Sequence, residues 1–326
     1  MIDCQSHPRY KKVELPGRPL WLILATLICC SSSGSDDGEN ISWTEGVPLL
    51  YQCEYCIAMS SPTHLYALSG DSLGRFQGLR INNDHWDDLP PLPLPRTFPG
   101  GTILGDDLYV AGGIDGDRMY SARVDRFSID EQVWTELPSL SKPRSRLVLV
   151  TVGQRLYAIG GLEGKNDKEY RNSSLVEEYD PVLNTWRERN GLPTPRHGLS
   201  AIAINGRILA VGGYADSGAV NVVEEYDPVS DRWEQKPSMP TPRGFFGLVQ
   251  WNEKVIALGG RVPEEQGPVE AYDYKEEEWS TLSPLPFRVN RFGVTTLNNK
   301  IYIIGGEERP WGTLIGKHAN GSSATP

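Results

Sequence analysis

Between about residues 40 and 306 the chain runs as short apolar stretches closed by turn residues, and the same order of stretches keeps returning. The best preserved copy shows the unit. Pro195-Arg196 leads into an apolar run ending at Ile204, Asn205-Gly206 supplies a two-residue hairpin turn of the kind that right-handed strand twist favours, and Ile208 to Val211 runs up to Gly212-Gly213. After a variable loop, Val223-Glu224-Glu225-Tyr226-Asp227-Pro228 reads as a third strand closed by a turn, and Trp233 marks a fourth, outer strand. Each unit therefore predicts a small antiparallel sheet of four strands.

The spacing is regular enough to count the sheets. Trp43, Trp86, Trp134, Trp186, Trp233 and Trp279 each stand 26 residues before a small-residue doublet: Ser69-Gly70, Gly112-Gly113, Gly160-Gly161, Gly212-Gly213, Gly259-Gly260 and Gly305-Gly306. Successive tryptophans lie 43 to 52 residues apart. An apolar side chain precedes the tryptophan by seven residues in five units, as Leu79, Phe127, Tyr179, Tyr226 and Tyr272. Two large side chains on adjacent outer strands fill the wedge between neighbouring sheets, and the doublets end the second strand where backbone approaches too closely for a side chain. These are packing roles.

Pro-Arg, the apolar hairpin to Leu-Tyr-Ala-Ile-Gly-Gly (156–161), and Val-Glu-Glu-Tyr-Asp-Pro-Val-Leu-Asn-Thr-Trp (176–186) together resemble the kelch repeat, over about residues 40–306. The resemblance implies an all-β fold, a six-bladed kelch-type β-propeller. Trp43 keeps the phase but has no inner strands before it, and the last unit runs from Arg291 to Gly306 with no tryptophan after it. The ring is thus expected to close by an N-terminal outer strand around Ile41–Thr44 pairing with the C-terminal blade, whose third strand would come from Trp311 to Ile315. The expected division is a leader over 1–35, a signal peptide or disordered extension, the propeller over 36–312 and a tail over 313–326 that is a weak last strand or disordered, without counterparts of BTB or F-box segments.

Composition narrows the partners. A net charge of −10 and a pI near 5.1 argue against nucleic acid or an anionic membrane surface. The leader carries Lys11, Lys12 and Arg18 before an apolar run, Leu20 to Cys30, that would be only ~16 Å long as a helix, too short for a stable membrane span. Its flanks suit a secretory signal cleaved among the small residues that follow, and hence an extracellular or secretory-pathway protein; the alternative is an upstream extension on a cytoplasmic one. The sequons at Asn40, Asn172 and Asn320 are compatible with export. Cys53 and Cys56 form a lone Cys-x-x-Cys. On an extended strand their Cα atoms would stand ~10 Å apart, so free structural thiols are expected rather than a disulfide.

One position rises above the repeat. Ten residues after each tryptophan stand Arg96, Arg144, Arg196 and Arg243, with Cys53 in the first unit and Val289 in the sixth. This position opens the innermost strand, so the arginines are expected at one mouth of the central channel, next to Arg146, Arg288 and Arg291 and beside Tyr214. Guanidinium forks there suit a carboxylate, phosphate or sulfate. In BTB–kelch adaptors the matching arginines line a pocket for an acidic loop, so the resemblance implies a similar role; the structural alternative is that they bond neighbouring backbone. The loops after the doublets, with Tyr120, Tyr170, Tyr214 and Trp311 among Asp115, Asp117, Glu163, Asp216, Arg261, Glu307 and Glu308, are expected to open on the same face.

Three functions fit. The first is a non-catalytic module, acting as a monomer without cofactor, that binds an acidic segment of a protein partner through Arg96, Arg144, Arg196, Arg243, Arg291 and Tyr214. The second, implied by kelch-type propellers such as a copper oxidase of galactose and a sialic acid mutarotase, is a secreted carbohydrate-active enzyme or sugar-binding propeller. Its copper form needs paired histidines near the axis, where only His197 is expected; its mutarotase form would use Glu54 or Glu163 beside Arg196. The third is a structural propeller whose partner binds the rim.

Overall fold

The computed structural model describes residues 41–262, 267–306 and the strand 313–318. The leader over 1–35, with Cys4, Cys29 and Cys30, lies outside the described residues, as do Asn40, Asn320, Glu307, Glu308, Trp311 and the end of the tail. No helix among the described residues is long and apolar enough to cross a membrane.

The described residues form six four-stranded antiparallel sheets, each ordered as the repeat predicts. The fourth blade is Ser200–Ile204, Arg207–Val211, Val223–Asp227 and Arg232–Lys236. Its neighbours repeat the plan, and the innermost strands meet one another in a closed cycle: Ile57–Ser60, Gly100–Leu104, Val148–Val152, Ser200–Ile204, Gly247–Trp251, Gly293–Leu297 and back to Ile57–Ser60. Second strands such as Arg207–Val211 are buried along nearly their whole length because both faces meet another blade. Their side chains, Ile208 to Val211, each contribute roughly 1.5–3 kcal/mol if as large as Val, Leu or Ile.

The outer aromatic pairs behave as the pattern requires. Tyr226 stands opposite Trp233 in the register and their rings lie 4.9 Å apart, with the pairs Phe127–Trp134, Tyr179–Trp186 and Tyr272–Trp279 at 5.0–5.1 Å. Five of the six repeat indoles also bolt their blade to the one before. Trp134 Nε1 donates to the Pro90 carbonyl, Trp186 to Pro138, Trp233 to Asn190, Trp279 to Pro237 and Trp86 to Val47. The glycines of the five Gly-Gly doublets take left-handed backbone. Gly212 has φ 58° and Gly213 φ 105°, and a Cβ on Gly212 would stand 2.6 Å from the Arg243 carbonyl oxygen.

The seam closes from the N-terminus. Ile41–Glu45 pairs antiparallel with Thr313–His318, Trp43 opposite Gly316, and Thr313–His318 pairs in turn with Lys300–Ile304. Ile41 and Trp43 pack into the core shared by the fifth and sixth blades. The third strand of this blade starts at Thr313, two residues later than its expected start at Trp311, and Thr313–His318 falls in the segment expected to hold a weak last strand.

Candidate functional site

The four repeat arginines do not line the channel. Arg96, Arg144, Arg196 and Arg243 are 0–1% exposed, and each turns into its own blade to meet a carboxylate on the third strand. Arg96 pairs with Asp125 at 2.8 Å, Arg144 with Glu177 at 2.6 Å, Arg196 with Glu224 at 2.5 Å and Arg243 with Glu270 at 2.6 Å. Arg196 also donates to the carbonyls of Gly212, Thr194 and Ala210, and Arg96 to those of Gly112 and Leu94. Burial lowers the pKa of both guanidinium groups and the paired carboxylate opposes it. These side chains pin the start of the innermost strand to the second and third strands. The structural reading of Pro-Arg therefore replaces the expected binding role.

Two residues further on lies the position that does face the channel. Tyr55, Phe98, Arg146, Gly198, Phe245 and Arg291 occupy it in the six blades, and all have left-handed backbone, with φ between 50° and 58°. The reason is a belt of backbone hydrogen bonds running from blade to blade. Arg146 N–H donates to the Phe98 carbonyl, Gly198 to Arg146, Phe245 to Gly198, Arg291 to Phe245 and Cys56 to Arg291, at 2.8–3.2 Å. At Arg146, Gly198, Phe245 and Arg291 reaching the neighbour's carbonyl goes with a sharp turn of the backbone, which sets the position at the axis.

The resulting mouth combines two cations with a cluster of rings. The Arg291 guanidinium lies 5.0 Å from the Tyr55 ring, 5.5 Å from Phe98 and 5.7 Å from Phe245, and Arg146 stacks 4.5 Å over the other side of the cluster at Phe98. Phe98 and Phe245 meet across the channel at 6.0 Å and Tyr55 meets Phe98 at 4.1 Å. Together with the strand starts these residues line a cavity of about 210 Å³. Arg146 is paired with Asp167 at 2.8 Å, and Asp167 also accepts from the Tyr120 hydroxyl. The Arg146 hydrogen bond holds the Asp167 carboxyl below its ordinary value, against the effect of burial.

A sequence model of the KLHDC2/KLHL20/DRC7 Kelch-repeats domain matches residues 101–306, more than half of the chain. The chain belongs to the Kelch-repeat family. Among curated relatives, a Kelch-like protein terF of Aspergillus terreus is 27% identical over 149 residues, 45% of this chain and 32% of that protein. A Kelch-like protein 40 of Xenopus tropicalis is 26% identical over 184 residues, 55% of this chain and 21% of that one. The matches thus span a third or less of those relatives. The solved structure of YjhT superposes with a TM-score of 0.71 at 15% identity, covering 82% of this chain and 94% of that one, a likeness of fold.

Around the kelch mouth the loops divide. Tyr214 belongs there: it sits over Gly244, stacks on His197 at 5.6 Å and approaches Phe245 at 5.7 Å. His197 is pushed down to about 4, first by burial and then by the Arg146 charge, so it is neutral near pH 7, and its Nδ1 donates to Asn172 Oδ1 at 2.8 Å. Asn172 also donates through Nδ2 to Asp216, so both ends of the amide expected to carry a glycan are engaged, and its neighbour Ser173 is buried. Tyr120 is buried beneath a hairpin, Leu162–Asn166 with Glu169–Asn172, that the repeat did not predict, while Tyr170 on that hairpin is exposed. Glu163 is held by Arg171 and Ser173, and Arg196 by Glu224, so the expected acid/base pair of Glu163 with Arg196 is not assembled.

Cys53 and Cys56 form a disulfide, against the expectation of free thiols. The chain is not extended there: Glu54 and Tyr55 make a turn, with Tyr55 at φ 50°, and the Cα atoms come to 5.1 Å. Cys53 stands at the arginine position of the first blade, and the third-strand carboxylate of the four arginine blades is there replaced by Gln77, which bonds Leu50 N–H and the Tyr51 carbonyl. That covariation was readable. Nine residues before the tryptophan stand Asp125, Glu177, Glu224 and Glu270 in the four blades with arginine, and Gln77 in the blade with Cys53. Pairing the two columns would have placed the arginines inside the blades.

Proposed function

We propose that this kelch propeller is a protein-binding module that takes an anionic segment of its partner at the mouth marked by Arg146 and Arg291. The observation that carries the reading is the ring itself: six equivalent channel-facing positions hold two arginines and three aromatics on a protein of net charge −10. Rings and guanidinium groups together are the composition of interface hot spots, and the belt of backbone hydrogen bonds holds them in place before any partner arrives. The Arg146–Asp167 pair supports a carboxylate as the group taken. Asp167 already puts one carboxylate on Arg146, and an aspartate or glutamate from a partner presents the same group from the solvent side. Relatives named Kelch-like proteins support a role in protein interaction.

The reading is tested by selection from a peptide library. The wild-type propeller should enrich segments bearing Asp or Glu beside an apolar residue. Arg146→Ala and Arg291→Ala should each weaken the selected peptides by about 30-fold or more, as for loss of one half of a desolvated charge pair, at an unchanged melting temperature. Full binding by both variants would place the partner elsewhere on the propeller.

A further inference from the structure

In four blades the start of the innermost strand is held by an arginine–carboxylate pair, which no thiol reagent can open. In the first blade the Cys53–Cys56 bond stands at that place. Three observations give the substitution a consequence. Tyr55 lies between the two cysteines and forms one wall of the ring cluster around Arg291, 5.0 Å from the guanidinium. The backbone on either side of Tyr55 makes the junction with the sixth blade, through Cys56 N–H to the Arg291 carbonyl and Gly306 N–H to the Cys53 carbonyl. Cys56 lines the channel cavity, while Cys53 is wholly buried.

We propose that the Cys53–Cys56 disulfide is a redox-sensitive clasp of the mouth, whose opening by a dithiol releases Tyr55 and loosens the junction between the first and sixth blades. The step balances as ordinary thiol–disulfide exchange. A thiolate of the dithiol enters by the cavity and attacks the Cys56 sulfur, the S–S bond breaks, and the Cys53 sulfur leaves as thiolate and takes a proton. The second thiol then attacks the mixed disulfide, freeing Cys56 and leaving the reagent as a disulfide, so two electrons and two protons pass to the protein. A bridge that closes so short a loop adds little to global stability, so the effect of opening it is local. As control of partner binding, the clasp rests on the function proposed above; as a property of the ring it stands without a partner.

The test uses the full chain with dithiothreitol, reading alkylation and amide exchange peptide by peptide. Before reduction, Cys53 and Cys56 should resist iodoacetamide. After it they should alkylate, and the amides of Cys56 and Gly306 should exchange about tenfold faster or more, while those of Gly161 and Gly213, at the equivalent place in blades held by arginine, stay unchanged. The melting temperature should fall by only about 2–5 °C. The double variant Cys53→Ser, Cys56→Ser should exchange fast with or without the reagent; should it fail to fold, the wild-type comparison decides alone. Alkylation of both cysteines without reductant, or exchange at Cys56 and Gly306 unmoved by reduction, would overturn the clasp. Exchange that shifts while acidic-peptide binding is absent in both states keeps the clasp and removes the binding reading. Exchange that shifts while peptide binding persists unaltered removes the regulatory part alone.

Discussion

Arg196 carries a guanidinium into the interior of its blade, where Glu224 and three carbonyls replace water. Removing one half of such a pair leaves the other charge buried without compensation, which typically costs 3–5 kcal/mol. Arg196→Ala should therefore lower the free energy of unfolding by about that amount in a denaturant titration, while mouth binding per folded molecule is retained. A melting temperature equal to wild type would contradict the burial of this pair. His197 gives the residue scale a pH signature. Its folded pKa, about 4, lies below the ordinary 6.5, so between those values the unfolded chain binds a proton that the native mouth refuses. The stability contributed by neutral His197 is complete above about pH 6.5 and is lost as pH falls toward 4. His197→Gln should flatten that part of a plot of melting temperature against pH, and an identical plot would show that the ring is not held neutral.

At the scale of elements, the blade is a sheet whose outer strand is bolted to its neighbour by an indole hydrogen bond in five blades, and the seam tests whether strand pairing and packing of the indole hold the sixth. Ile41–Glu45 is remote in sequence from the strands it completes, yet it supplies Ile41 and Trp43 to the core between the fifth and sixth blades. Trp43→Ala, or deletion of residues 36–46, should destabilise the fold by about 3–5 kcal/mol, the range for truncating a large aromatic. Unchanged melting after both edits would remove the closure by the N-terminal strand. The hairpin Leu162–Asn166 with Glu169–Asn172 is the element that the repeat does not specify. It covers Tyr120 and brings Asp167 to Arg146, so it sets how much of the mouth's positive charge is already neutralised.

On the scale of the whole molecule, charge is sorted by depth. The arginines at the repeat position spend their charge inside blades, where salt does not reach, while Arg146 and Arg291 stand at the mouth of an acidic protein. Raising salt from about 0.05 to 0.5 M shortens the screening length severalfold. Peptide affinity at the mouth should fall over that range while the melting temperature changes little; parallel loss of both would mean that the same charges serve both tasks.

Blade number, strand order, the wedge of tryptophan and tyrosine, and the closing strand at Trp43 were all written in the sequence, because each depends on a local pattern repeated at fixed phase. Whether a repeated arginine faces inward or outward depends on a carboxylate 27 to 33 residues further on, and only the folded blade brings the two together. The same holds for the disulfide: a turn at Glu54-Tyr55, drawn by hydrogen bonds to the sixth blade, moves two cysteines together that an extended strand would keep apart. Tertiary structure also chose the binding ring. The side chains at those six positions share no chemistry that a repeat could advertise; it is their common left-handed backbone, tied from blade to blade by the belt of hydrogen bonds, that sets them at one axis.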